Sequence, residues 1–160
     1  MIEQLERVWS QIAMQPCSLR RVWRTRRLSI GFGPLREGVP GVTRPLWELG
    51  SYYSAWRFVR DGRVLAGSQD VVDAIADLDT KVNAIEVGAV LDIEQLPPFD
   101  IRLHFDGRLI LDFLNTTSED DDIFHIFGPE HVYAGFSPLT GWTLGRSDVP
   151  TSSDSPHPPT

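Results

Sequence analysis

The chain has 160 residues, with 15 Lys and Arg against 22 Asp and Glu, a net charge of −7 and one cysteine. At 41% hydrophobic and 10% aromatic it is too apolar for a disordered chain, and no apolar run approaches the roughly 20 residues that span a bilayer. Lone Cys17 excludes a disulfide framework and a cysteine-based zinc site.

Met1–Glu6 is acidic and amphipathic rather than a signal peptide, so cytoplasmic residence is expected. The length predicts one domain, over residues 1–147.

A helix opens the chain. Ile2, Leu5, Val8, Trp9 and Ile12 recur at three- and four-residue spacing, and Pro16 ends it. Alternation then predicts strands over residues 19–25 and 28–32; a helix continued through Leu19, Val22 and Trp23 is the competing reading. Residues 33–51 hold three prolines and four glycines, which predicts a long loop.

A strand follows from Tyr52 to Val59, with Tyr52, Ser54, Trp56 and Phe58 on one face. Asp61-Gly62 supplies a two-residue hairpin turn, and Arg63–Ala66 returns. Ser68 or Asp70 is placed to cap a helix over 70–79, with Val71, Val72, Ile75 and Leu78 inward. Ile85, Val87, Ala89, Leu91 and Ile93 alternate without a break, which predicts a strand over 85–93.

Beyond Pro97-Pro98, Ile101, Leu103 and Phe105 alternate into a second turn at Asp106-Gly107. The return strand, 108–114, is apolar on both faces and reads as central. Residues 116–122 form an acidic loop, and short strands follow at 123–127 and 132–136, with Trp142 after them. The composition of 148–160 predicts a disordered tail.

The expected fold is therefore α+β. A mainly antiparallel sheet of six to eight strands packs on the helix at 70–79, with the first helix against an edge or face. Expected core residues are Trp56, Phe58, Val71, Ile75, Leu78, Ile85, Val87, Ile101, Leu103, Phe105, Leu109, Leu111 and Phe113. Residues 28–32 match 101–105 in pattern, 56–59 match 124–127, and 64–67 match 132–135. The last two pairs share an offset of 68, which suggests two similar β-rich halves.

Residues 56–70, W-R-F-V-R-D-G-R-V-L-A-G-S-Q-D, together with R-L-S-I-G-F-G at 27–33 and I-R-L-H-F-D-G at 101–107, resemble a group of small uncharacterised bacterial proteins. The resemblance spans roughly residues 19–114. Some members look like immunity proteins of toxin–immunity systems, so it implies a toxin as partner. It implies no catalytic residue.

Chemistry-bearing motifs are sparse. His125 and His131 lie near Asp120, Asp121 and Asp122, but the spacing fits no zinc or calcium motif. There is no nucleophile elbow and no phosphate loop, and no cofactor is expected. Arg20, Arg21, Arg24, Arg26 and Arg27 surround Trp23, and aromatic residues among basic ones can stack on bases. On a strand these arginines divide between two faces, and the chain is acidic overall. Nucleic acid is therefore not expected, and pairing with the acidic middle of the chain is.

Two functional readings stay open. The first is a non-enzymatic binding protein, such as an immunity protein, that offers Asp112, Glu119, Asp120, Asp121 and Asp122 to a basic protein. The second is a small enzyme or ligand-binding domain with a pocket near His104 or His125.

Overall fold

The computed structural model describes residues 3–52 and 54–149. Its elements in chain order are α1 (Glu3–Ile12), β1 (Cys17–Val22), β2 (Leu28–Val39), β3 (Val42–Gly50), β4 (Ser54–Arg60) and β5 (Arg63–Gly67), then α2 (Ile75–Asn83), β6 (Val90–Leu96), β7 (Asp100–Phe105), β8 (Leu109–Asn115), β9 (Phe124–Phe127), β10 (Val132–Ser137) and β11 (Gly141–Arg146). The class is α+β, but the strands form two antiparallel sheets instead of one. The six-stranded sheet runs β1-β2-β3-β9-β10-β11, and the five-stranded sheet runs β5-β4-β8-β7-β6.

Alternation explains the core. Leu28, Ile30 and Phe32 on β2, Ile101, Leu103 and Phe105 on β7, and Leu109, Leu111 and Phe113 on β8 turn inward and are buried. The two inner faces meet through ring contacts, Phe32 to Phe105 at 6.0 Å and Phe113 to Phe124 at 5.1 Å between centroids. Each helix adds an apolar stripe. Leu5, Val8, Trp9 and Ile12 of α1 are buried, and the chain after it ties to β6 through Met14 N–H to the Val90 carbonyl. Leu78 and Val82 of α2 are buried, and Asp79 accepts the Val22 N–H of β1 at 2.7 Å. Neither helix lies at the centre of a single sheet.

The two halves of the chain follow one plan. Cys17 pairs with Phe32 and Leu19 with Gly31, across a bulge in β1; Val90 pairs with Phe105 and Asp92 with His104, across a bulge in β6, each 73 positions later. The hairpin pairing Arg57 with Gly67 and Phe58 with Ala66 recurs 68 positions on, as His125 with Gly135 and Ile126 with Ala134. The hairpins are exchanged: β4 pairs with β8 of the later half, and β9 pairs with β3 of the earlier half.

Several expectations change. Residues 33–51 are not a loop but most of a long β2–β3 hairpin, which accommodates Pro34 beside a bulge between Phe32 and Leu35; a proline costs no ladder bond at such a site. The second helix starts five residues later than expected and runs to Asn83. Ala74 stands at its N-cap and the Asp77 carboxylate accepts the Ala74 N–H at 3.1 Å. Val71 is consequently fully exposed rather than core. The following strand begins at Val90, because Ile85 N–H still bonds the Val82 carbonyl at the helix end.

Asp61 and Gly62 both take the positive φ that the predicted turn requires. At the other hairpin the positive-φ pair is Gly107 and Arg108, one residue later than predicted. Of the expected tail, 150–160 lie outside the described residues; Asp148 accepts two hydrogen bonds from Arg146, at 2.9 and 2.8 Å. No helix among the described residues is long and apolar enough to cross a membrane.

Candidate functional site

The outer face of the six-stranded sheet carries a groove of about 580 Å³. Register builds its floor. Ser29 lies opposite Gly50, and Gly50 opposite His125, in one row across β2, β3 and β9; Gly31, Glu48 and Phe127 form the next row. Gly50 is obligatory here, because a Cβ would lie 2.6 Å from the Leu28 carbonyl oxygen and 3.1 Å from His125 Nε2. The turn between β1 and β2 supplies one wall, closed by Arg26 N–H to the Trp23 carbonyl and Trp23 N–H to the Arg27 carbonyl.

A short polar chain runs along that wall. Trp23 Nε1 donates to Ser29 Oγ at 2.9 Å, and the Ser29 hydroxyl donates to Glu48 Oε1 at 3.1 Å. The Arg21 and Arg27 guanidiniums stand 5.0 and 4.6 Å from the Trp23 ring centroid, and Arg27 is also 5.6 Å from that of Tyr52. Such cation–π placement holds a guanidinium while leaving its N–H edge available. Arg21, Arg27 and Arg44 all line the groove, and among the described residues their side chains make no hydrogen bond or ion pair.

His125 is 3% exposed and lies in the groove floor. Its ring is 4.3 Å from Tyr52 and 4.8 Å from Phe127 between centroids. Burial, with the nearby Arg27 charge, pushes its pKa down to about 3, so the imidazole is neutral at physiological pH. Nδ1 is buried with no hydrogen-bond partner among the described residues. A second hollow of about 250 Å³ adjoins the groove, with Arg27 and Tyr52 as a shared wall.

The five-stranded sheet offers an internal comparison. Its register sets Arg102 opposite Asp112 and Asp112 opposite Arg57. By the correspondence of strands, these three occupy the places of Ser29, Gly50 and His125. There the row is closed: Asp112 is fully buried and accepts from Arg57 at 2.9 Å and from Arg102 at 2.7 and 3.1 Å. In the groove row, glycine stands where that carboxylate would be.

This burial removes Asp112 from the acidic surface expected of it. Burial disfavours its charged form, but the hydrogen bonds and charges of Arg102 and Arg57 prevail and hold its pKa below the ordinary value. The acidic loop is less free than its sequence implies. Asp120 accepts from the Ser137 and Thr140 hydroxyls, and Asp122 accepts from the Tyr133 hydroxyl. That hydroxyl is pushed above its ordinary range by burial and by Asp122. Glu119, Asp120 and Asp121 remain exposed.

His104 sits away from the groove, with Nε2 2.8 Å from Glu94 on the neighbouring strand. Of the Arg20–Arg27 cluster, two members bond backbone carbonyls, and among the described residues none pairs with a carboxylate of the acidic middle of the chain. Arg20 reaches the Ile85 carbonyl and Arg26 the Ser68 and Asp70 carbonyls. Among the described residues no three His, Cys, Asp or Glu side chains group into a possible metal site.

Sequence reasoning placed a pocket near His125 but missed Arg21, Trp23, Arg27, Ser29, Glu48 and Tyr52 as its company. The available signal was the alternation that puts Arg21 and Trp23 on one face of a strand. Compared with known protein families, with curated proteins and with solved structures, the chain matches none.

Proposed function

We propose that this chain is a non-enzymatic binding protein whose recognition site is the groove on the outer face of the six-stranded sheet. One observation carries the reading: the groove combines guanidiniums that make no ion pair among the described residues with a buried, neutral His125 whose Nδ1 has no hydrogen-bond partner among them. Buried polar atoms in folded proteins are usually paired, so an orphan in a cavity wall marks a place where a ligand or water completes the bonding. The volume lies within the range of small-molecule sites, about 300–1,000 Å³.

The test is a titration of the labelled protein with a fragment library, followed by amide chemical shifts. Shifts clustered at Ser29, Glu48 and His125 support the groove as the site. Shifts scattered over the surface, or confined to the five-stranded sheet, overturn it.

A second reading keeps the basic protein partner, such as a toxin. Glu119 and Asp121 favour it, because they stand exposed in the loop between β8 and β9, where charge speeds encounter with a basic surface. Slower association of the Glu119→Gln, Asp121→Asn double variant with such a partner, and an unaffected groove, would favour it over the first.

A further inference from the structure

We propose that the groove takes a small organic anion, a carboxylate or phosphate on a flat unsaturated body, with Arg27 and Arg21 holding the anionic group. The inference rests on the groove being the recognition site, and it specifies what the site selects.

Most cations of this acidic chain are committed. Arg57 and Arg102 share Asp112; Arg7, Lys81, Arg108 and Arg146 each face a carboxylate. Arg20, Arg26 and Arg60 bond backbone carbonyls. Arg24, Arg36 and Arg63 lack such a partner among the described residues but are exposed outside the groove. Arg21, Arg27 and Arg44 line it and, among the described residues, make no hydrogen bond or ion pair. They face two carboxylates there, Glu48 and Glu130, and Glu48 is already engaged by Ser29. Guanidiniums held against rings present a fixed fork of donors, the geometry that suits carboxylate and phosphate oxygens.

The matching row of the other sheet holds the Asp112 carboxylate between Arg57 and Arg102. The groove row has Ser29, Gly50 and the neutral His125 in those places, so this row brings no carboxylate of its own to the arginines beside it.

Trp23, Tyr52 and Phe127 line the groove together with the buried His125, so a planar molecule meets ring faces and edges. The imidazole Nδ1, buried and without a hydrogen-bond partner among the described residues, offers one directional bond to a ligand that reaches it.

The experiment uses the full chain labelled with ¹⁵N and four probes: 2-naphthoate, phenyl phosphate, the neutral 2-naphthamide, and inorganic phosphate. The expected result is that the two organic anions shift the Trp23 indole N–H, the Ser29 and Glu48 amides and the His125 ring nitrogens. Arg27→Gln should weaken this binding at least tenfold. Arg63→Gln, which removes an exposed cation on the other sheet, should not. Higher salt should weaken it in the wild type.

Equal binding of 2-naphthamide, unaffected by Arg27→Gln, would overturn the anion inference and leave the groove as a neutral-ligand site. Equal binding of inorganic phosphate would overturn the requirement for a flat body. Shifts at the groove from no probe at millimolar concentration would overturn this inference. If the fragment library also left the groove silent, the reading of the groove as the site would fall with it.

Discussion

Arg102 holds Asp112 with two hydrogen bonds, Nε to Oδ1 at 2.7 Å and Nη2 to Oδ2 at 3.1 Å. The carboxylate is fully buried while the Arg102 side chain keeps 27% of its surface exposed, and Arg57, the second partner, keeps 44%. Removing one member of a buried pair typically costs about 3–5 kcal/mol, because the other is left without its counterion. Here both arginines reach water, which lowers the cost.

Asp112→Ala should therefore destabilise by about 2–3 kcal/mol, read as a lower urea midpoint at pH 7. The sign with pH follows from the lowered pKa of Asp112. Its stabilisation is present above the unfolded carboxyl value near 4 and is lost as pH falls through the folded one. Wild type and variant should converge in stability at acid pH. A gap that persists there would place the loss in packing instead of charge.

The acidic loop divides in the same manner. Asp122 receives the Tyr133 hydroxyl, and both side chains are half-buried. Asp121 is exposed and receives only the Asp122 N–H. Asp122→Ala leaves a half-buried donor without its acceptor and should cost about 1 kcal/mol. Asp121→Asn should stay within about 0.5 kcal/mol of wild type. Equal midpoints for the two variants in urea denaturation would show that the loop is a uniformly solvated run.

His125 makes acid stability a direct readout of the groove floor. Its pKa is about 3 in the folded protein, against about 6.5 in an unfolded chain. Between those values the unfolded state binds a proton that the folded state does not. Stability is thus lost as pH falls below about 6.5, by up to about 1.4 kcal/mol per pH unit. His125→Phe removes that proton from the balance. Unfolding free energies measured between pH 7 and pH 4.5 should fall less steeply for the variant, by about one proton. Parallel curves would mean that the imidazole reaches water.

How much of this was legible depends on whether the signal is local. Alternation at 101–105 and 28–32, and the Asp61-Gly62 turn, are properties of a few adjacent residues, and they read correctly. The hairpin at 33–51 did not, because proline and glycine density marks turns in general. Only the bulge beside Leu35 makes Pro34 compatible with a ladder.

Asp112 alternates with Leu111 and Phe113, so its outward face was readable. That Arg57 and Arg102 close over it is a matter of register across three strands, which no single strand encodes. The groove is the same case. Its floor joins Ser29 and Gly50 to His125, which lies 75 residues beyond Gly50 and reaches it through the hairpin exchange.

That exchange yields the last prediction. The first half of the chain contains the β4–β5 hairpin, but the strand β4 pairs with beyond that hairpin is β8, in the second half. The second half contains β9–β10, which pairs with β3 of the first. A two-stranded hairpin alone is marginally stable. Cutting between α2 and β5 would also expose Trp56 and Phe58, which are 1% and 0% exposed in the whole chain. Fragments 1–72 and 73–160 should each lack a cooperative unfolding transition. Mixed at equal concentration they should recover one, together with the tryptophan fluorescence of the intact protein. Association of fragment 1–72 with itself is the competing outcome, because the shared hairpin register would let a second copy fill the place of β9. A cooperatively folded monomer of either fragment would show that its hairpin folds back onto its own half, and that the exchange is not what joins the two.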